Sequence, residues 1–413
     1  MTTPHPAPQD HAHLWRLLDE QAPAACELRR RLHAHPDPSG QESTTRDAVV
    51  AALPAGAVVE VADTGAVVRV DGVGPAAGGG PAGGGSLPGG VDPAGGGPVV
   101  GVRGEMDALP VTEATGAAFA STRDGVMHAC GHDVHLAAVV ALARTLAHPD
   151  AHAPAPLLVV LQPREETYPS GAQDIVGSGV LREQGCTAMI GAHVQPTLPA
   201  GTVACVPGGV NASADELTIT VRGQAGHAAY PHLTRDPVLA LASVVVSLQS
   251  LVSRVVDPME PAVVGISSLQ AGEPANVVPD TAVARGTVRA LSTPTRDLLH
   301  ERIHAVVPLV AQANGCTAQV DITRGEPVLD NDPHLAAAAA HHLDVGAGLA
   351  VDTTLRSAGA DDFSFYSEHV PTLMMFVGTS TDEALHSATF LPDDDAVRDT
   401  ARAMLAGYLA AAG

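Results

Sequence analysis

The chain has 413 residues, more than one hydrophobic core usually organises, so two domains are expected. Its formal net charge is -23 and all 22 of its basic Lys/Arg positions are arginine, which argues against nucleic acid or an anionic membrane as a partner. The five cysteines at 26, 130, 186, 205 and 316 lack disulfide-framework spacing, and Met1 to His5 show no basic segment leading into an apolar run, so the reading is cytoplasmic.

Leu14, Leu17, Leu18, Leu28 and Leu32 recur at helical spacing and predict a helix over 11–35, which His35-Pro36-Asp37-Pro38-Ser39-Gly40 terminates. A second helix is expected over 41–53. Residues 73–98 are mostly glycine and proline, cannot bury apolar surface, and read as a flexible loop. Around it, 67–70 and 99–102 read as buried strands, as does 157–161, with helices over 136–146 and 171–183. The alternation predicts an α/β fold, a catalytic domain with a central mixed sheet flanked by helices, whose functional groups sit on loops leaving strand ends.

From 212 to 323 the pattern changes. Leu217, Ile219 and Val221 alternate as a strand, followed by a helix over 236–254, strands over 262–269 and 281–290, a helix over 293–313 and a strand over 318–322. That β-α-β-β-α-β order predicts an inserted α+β domain at 212–323, with 1–211 and 324–413 forming the catalytic, metal-binding domain.

Four polar clusters accompany the strand-like runs outside the insert: Glu105-Met106-Asp107, His128-Ala129-Cys130-Gly131-His132-Asp133, Glu165-Glu166 and Ala192-His193. Leu385-His386-Ser387 is a fifth, near the C-terminus. Thiolate, imidazole and carboxylate are the donors a borderline-soft divalent ion accepts. Each cluster alone also has an ordinary reading: a core cysteine, a solvated acidic turn, a satisfied core histidine. Together they suit two ions about 3.5 to 4 Å apart, with one spare carboxylate to move a proton between water and a leaving nitrogen.

The most specific of these stretches is His128-Ala129-Cys130-Gly131-His132-Asp133-Val134-His135. Supporting it are Asp107-Ala108-Leu109-Pro110, Gln162-Pro163-Arg164-Glu165-Glu166, Gly226-His227-Ala228-Ala229-Tyr230-Pro231-His232, Ala275-Asn276-Val277-Val278-Pro279 and Gly359-Ala360-Asp361-Asp362-Phe363. On these motifs the sequence resembles the co-catalytic metallohydrolases that include aminoacylases and glutamate-releasing carboxypeptidases, in particular the branch of hippurate hydrolase and the indole-acetyl-amino-acid hydrolases. The resemblance runs from Leu28-Arg29-Arg30-Arg31-Leu32-His33 to Leu385-His386-Ser387.

The resemblance implies an amidohydrolase that cleaves N-acyl amino acids with water. It implies that Cys130, His132, Glu166, His193 and His386 bind two divalent metal ions, that Glu165 is the general base and acid, and that Asp107 orients a ligand. Thiolate and imidazole favour zinc, while manganese, cobalt and nickel also suit carboxylate-rich sites. The insert would be a lid and dimerisation surface, giving a homodimer or a tetramer. From it His227 would stabilise the oxyanion, and Asn276 and Arg289 would hold the substrate carboxylate. His128, His135 and His232 read as loop supports. Two positions depart from the branch: Glu105 replaces a shorter aspartate, and Arg164 replaces a small residue. Arg164 could pair with Glu105, bind an anionic acyl group, or point away. A dipeptidase or carboxypeptidase using the same site is the competing enzyme reading, and a metal-containing binding protein without turnover is the non-enzymatic one.

Overall fold

A computed structural model describes residues 11–71 and 97–413. Apart from its last two residues, the predicted loop 73–98 lies outside the described residues. The chain divides into two compact units, one of Met1–Gly208, Asn331–Leu355 and Phe365–Gly413, the other of Gly209–Asp330 and Arg356–Ser364.

The first unit begins with helices α1 (Ala12–Ala34) and α2 (Ser43–Ala52) and a hairpin of strands β1 (Ala57–Val61) and β2 (Gly65–Val70). Then come β3 (Val99–Glu105), α3 (His132–Leu146), β4 (Leu157–Gln162), α4 (Gly171–Ser178), β5 (Cys186–Pro199) and β6 (Thr202–Ala204). An eight-stranded sheet runs in the order β1-β2-β4-β3-β5, then Thr372–Thr379, β6 and Ala350–Asp352. Its centre is parallel, β4 with β3, β3 with β5 and β5 with Thr372–Thr379, while β2 joins β4 antiparallel. Every residue of β3 and β4 is buried, as expected of central strands covered on both faces.

α3 packs against α1, the sheet and the C-terminal helix Asp395–Ala412. It is apolar on nearly every side, and of its fifteen residues only Arg144 is not buried, so its polar N-terminal residues His132, Asp133 and His135 are carried into the interior. The expected helix over 171–183 is instead two pieces, Gly171–Ser178 and Val180–Glu183, separated by Gly179 at φ +78.

In the second unit the strands Asp215–Arg222, Ala262–Ala271, Thr281–Ala290 and Thr317–Arg324 form a four-stranded antiparallel sheet with Ala262–Ala271 and Thr317–Arg324 at its edges. Helices Pro237–Arg254 and Thr293–Ala313 pack on it around a separate core of Leu217, Ile219, Val244, Leu248, Leu299 and Ile303. Pro237–Arg254 is long and apolar enough, by length and composition, to cross a membrane. Its residues Ala240, Leu241, Val244, Leu248 and Leu251 nevertheless face the unit's own core at helical spacing.

Candidate active site

Strand β3 runs into Met106 and Asp107, and the Asp107 carboxylate is buried there. Its Oδ2 accepts from Ser39 Oγ at 2.7 Å and from the Glu166 backbone N–H at 3.0 Å, tying the acidic turn after β4 to the end of β3. The Asp107 backbone carbonyl accepts from His132 Nδ1 at 2.8 Å. A carbonyl can only accept, so His132 carries its proton on Nδ1 and presents a lone pair at Nε2. That Nε2 is buried, has no hydrogen-bond partner among the described residues, and lies 3.9 Å from Glu165 Oε2.

His193 is prepared the same way. Its Nδ1 donates to the Val194 carbonyl at 2.7 Å, and its Nε2 lies 3.5 Å from Cys130 Sγ. His193 sits inside β5, where the partner strand Thr372–Thr379 fixes its register opposite Phe376. Cys130 and His132 are separated by Gly131 at φ +83, which caps α3. A Cβ at Gly131 would fall 2.5 Å from Val194 Cγ2, so glycine alone fits both the left-handed turn and the close approach of β5.

His386 also adopts a left-handed conformation, φ +67, and its backbone N–H donates to the Ala129 carbonyl at 2.8 Å. Its Nε2 comes within 3.3 Å of Glu166 Oε1. Two overlapping groups of donors result, Cys130 with Glu166 and His386, and His132 with Glu165 and Glu166, each with its donor atoms within 4.8 Å of one another. Glu166 belongs to both.

Burial raises the Cys130 thiol well above its ordinary range, and the carboxylates of Glu166 and Glu165 add to this. Burial would raise the Glu166 carboxyl too, but contact with His386 and the neighbouring His132 outweigh it and hold it low. His386 is raised, chiefly by its contact with Glu166. Burial opposes a charge on His132, yet Glu105, Asp107 and Glu166 raise it. Asp107 Oδ1, His132 Nε2 and Glu166 Oε1 are all buried without a hydrogen-bond partner among the described residues. Buried polar atoms are normally satisfied. A donor set of thiol, imidazole and carboxylate left incomplete in this way fits divalent metal ions.

Next to it lies a set whose carboxylate oxygens and imidazole nitrogens are all paired. Glu105 Oε1 accepts from Arg103 Nη2 at 2.6 Å and its Oε2 from His135 Nδ1 at 3.1 Å, while His135 Nε2 accepts from the Val194 N–H at 3.0 Å. Burial would raise the Glu105 carboxyl, but Arg103 and then His135 hold it well below the usual range. Glu105, His132, His135 and His193 are close enough to share an ion. Both His135 nitrogens are already committed, however: from α3, where the sequence leads us to expect a loop support, His135 links the end of β3 to β5. Arg164 does not pair with Glu105: its guanidinium bonds Asp63 and Asp174.

The remaining expected residues belong to the second unit. His227 lies on the short strand Gly226–His227, paired with Val277–Val278; it is exposed, and its Nδ1 accepts from the Ala229 N–H at 3.1 Å. Asn276 accepts from the Ala228 N–H through its carbonyl at 3.0 Å. Arg289 donates from Nη1 to the Ala358 carbonyl at 3.0 Å. Two supporting residues escaped sequence reading. Ser39 sits in a turn between α1 and α2, and Glu42 looks like an ordinary acidic residue before a helix. Nothing local marks either as a partner of a strand end far along the chain.

Residues 101–407 match the model of Peptidase family M20/M25/M40. An N-acetyldiaminopimelate deacetylase of Halalkalibacterium halodurans is 33% identical over 94% of this chain and 99% of its own length. An N-acetylcysteine deacetylase of Bacillus subtilis is 33% identical over 90% of this chain and 92% of its own. Among solved structures, a Bacillus subtilis dinuclear metal binding peptidase from the M20 family superposes with a TM-score of 0.78 at 28% identity, over 95% of this chain and 98% of that one. Fold, donor set and likenesses together define a metal-dependent hydrolase that acts on amide carbon–nitrogen bonds. The chain belongs to peptidase family M20/M25/M40.

Proposed function

We propose that this enzyme hydrolyses the amide bond of N-acyl amino acids, releasing a carboxylic acid and a free amino acid. The observation that carries the reading is the pair of donor groups overlapping at Glu166, one of which also holds the Glu165 carboxylate. Cys130, His132, Glu166, His193 and His386 would hold two divalent ions. Such a pair supplies Lewis acidity toward the scissile carbonyl and a water that is easier to deprotonate. Zinc fits the thiol and imidazoles, and manganese, cobalt or nickel fit the carboxylate content.

Glu165 takes a proton from the attacking water and returns it to the departing nitrogen, which must leave as a neutral amine. Asp107 fixes the tautomer of His132 through its backbone carbonyl and holds the acidic turn through its carboxylate. His227 stabilises the oxyanion, and Asn276 and Arg289 receive the substrate carboxylate, Arg289 as a planar donor. The second unit serves as a lid and as the surface of a homodimer. Exposed Val263 and Leu269 on Ala262–Ala271, an edge strand among the described residues, support the dimer reading. A cytoplasmic location is supported by the absence of any disulfide among the described residues.

The two deacetylase relatives favour a small acyl group, so N-acetylcysteine and N-acetyldiaminopimelate are the first substrates to try. Glu165→Gln should retain the wild-type metal content and lose most amide release. A fully active variant removes Glu165 from the base role, and an enzyme that cleaves dipeptides but no N-acyl amino acid overturns the substrate class.

A further inference from the structure

Arg164 stands directly before the acidic pair in a left-handed backbone conformation, φ +50, which residues with a Cβ rarely adopt without support. Four residues on three elements provide that support. The Arg164 N–H donates to Glu42 Oε1 at 3.0 Å, and the Arg164 carbonyl accepts from the Gly171 N–H at 3.2 Å. Glu42 is itself buried and also accepts from the Gly40 N–H at 2.7 Å and from Thr64 Oγ1 at 2.5 Å. The guanidinium forks outward, Nη1 donating to Asp63 Oδ2 at 2.9 Å and Nη2 to Asp174. Asp63 belongs to the turn between β1 and β2, and Asp174 to the first turn of α4.

We propose that Arg164 is a positioning residue: it locks the turn carrying Glu165 and Glu166 between the β1–β2 turn and α4, and acts on rate rather than on substrate choice. The proposal rests on the reading of Glu165 as general base. Charge favours it over recognition of an anionic acyl group, because one guanidinium bonded to two carboxylates leaves the cluster with a net negative charge. Both terminal nitrogens are already engaged. The geometry of the turn matters because misplacing a reacting group by about 1 Å can cost on the order of a hundredfold in rate.

The test compares wild type, R164A, R164K and the double variant D63N/D174N on the fastest N-acetyl amino acid, with metal content measured on each. R164A should lower kcat by about ten- to a hundredfold while KM and metal content stay within about twofold. D63N/D174N, whose side chains are largely at the surface, should give a loss of the same kind, and adding R164A to it should cost little more. R164K should recover part of the rate, since a single ammonium cannot span both carboxylates as the fork does. Unchanged kcat in R164A or in D63N/D174N overturns the proposal. So does a loss confined to KM on an N-succinyl substrate, which would make Arg164 a specificity contact. Glu165→Gln separates the two readings: if it stays fully active the base assignment fails, whereas an inactive Glu165→Gln beside a fully active R164A refutes the clamp alone.

Discussion

Two sets of carboxylates and imidazoles meet at the end of β3, and they begin only two residues apart. The set built on Glu105 is closed: Arg103 and His135 take the two carboxylate oxygens, and the Val194 N–H takes the last imidazole nitrogen. The set built around Asp107 is open, with Asp107 Oδ1, His132 Nε2 and Glu166 Oε1 buried and lacking hydrogen-bond partners among the described residues. Residue type does not distinguish the two, since both contain buried acids and histidines. The pairing of their acid oxygens and imidazole nitrogens does. A closed set stabilises its own charges, whereas an open set needs an ion to offset its desolvation.

The comparison can be broken from either side. The largest effect is expected at the open set, where His132→Ala should lower kcat/KM by about a hundredfold or more and release metal, read by elemental analysis beside turnover. Retention of all metal would move His132 out of the ligand set. At the closed set the loss should fall on folding. Glu105→Ala removes the buried carboxylate that Arg103 and His135 both pair with, and should cost about 3–5 kcal/mol in denaturant melts, with metal retained by the folded fraction. A variant with unchanged stability but no metal would exchange the roles of the two sets.

Gly131→Ala probes the seam between them. The left-handed φ and the contact with Val194 predict a loss of about 1–3 kcal/mol, together with weaker metal retention as Cys130 and His132 are displaced. A silent substitution would mean that the turn relaxes at no cost.

A smaller, pH-dependent effect is expected at another closed set, in the second unit. Asp215 accepts from Arg296 Nε at 3.0 Å, from Arg296 Nη2 at 2.5 Å and from His300 Nε2 at 2.7 Å. Burial would raise its carboxyl, but Arg296 and His300 hold it below the ordinary value. A lowered folded pKa contributes stability that is present above the unfolded value, about 3.9, and is lost as pH falls through the folded one. Asp215→Asn should therefore be less stable than wild type at pH 7, with a gap that narrows below about pH 4. A gap independent of pH would show that the aspartate acts through shape rather than charge.

Much of this architecture was legible in the sequence because periodicity is local. Leu217, Ile219 and Val221 announced a strand, and the apolar spacing of Leu14, Leu17, Leu18, Leu28 and Leu32 announced α1. The ends were less legible: α3 begins at His132 rather than 136, because burial on every side carries polar residues into the helix. The two C-terminal elements of the first unit, Thr372–Thr379 and Asp395–Ala412, escaped the reading altogether. Motif and resemblance single out candidate donors one by one. Their state is not legible that way, because the bonds that fix His132 and His193 go to backbone carbonyls of Asp107 and Val194, which no residue pattern encodes. Arg164 shows the same limit: its partners lie 101 and 10 residues away, and the sequence left three destinations open.

The most direct test of the open set is metal stoichiometry. The purified chain, stripped with chelator, reloaded with a divalent ion and dialysed, is measured by elemental analysis against Cys130→Ala, His132→Ala and Glu165→Gln. Two ions per chain in wild type and Glu165→Gln, with fewer in the other two, is the predicted result. Wild type that hydrolyses N-acyl amino acids without bound metal, or that holds its ions equally well without Cys130 and His132, would contradict it.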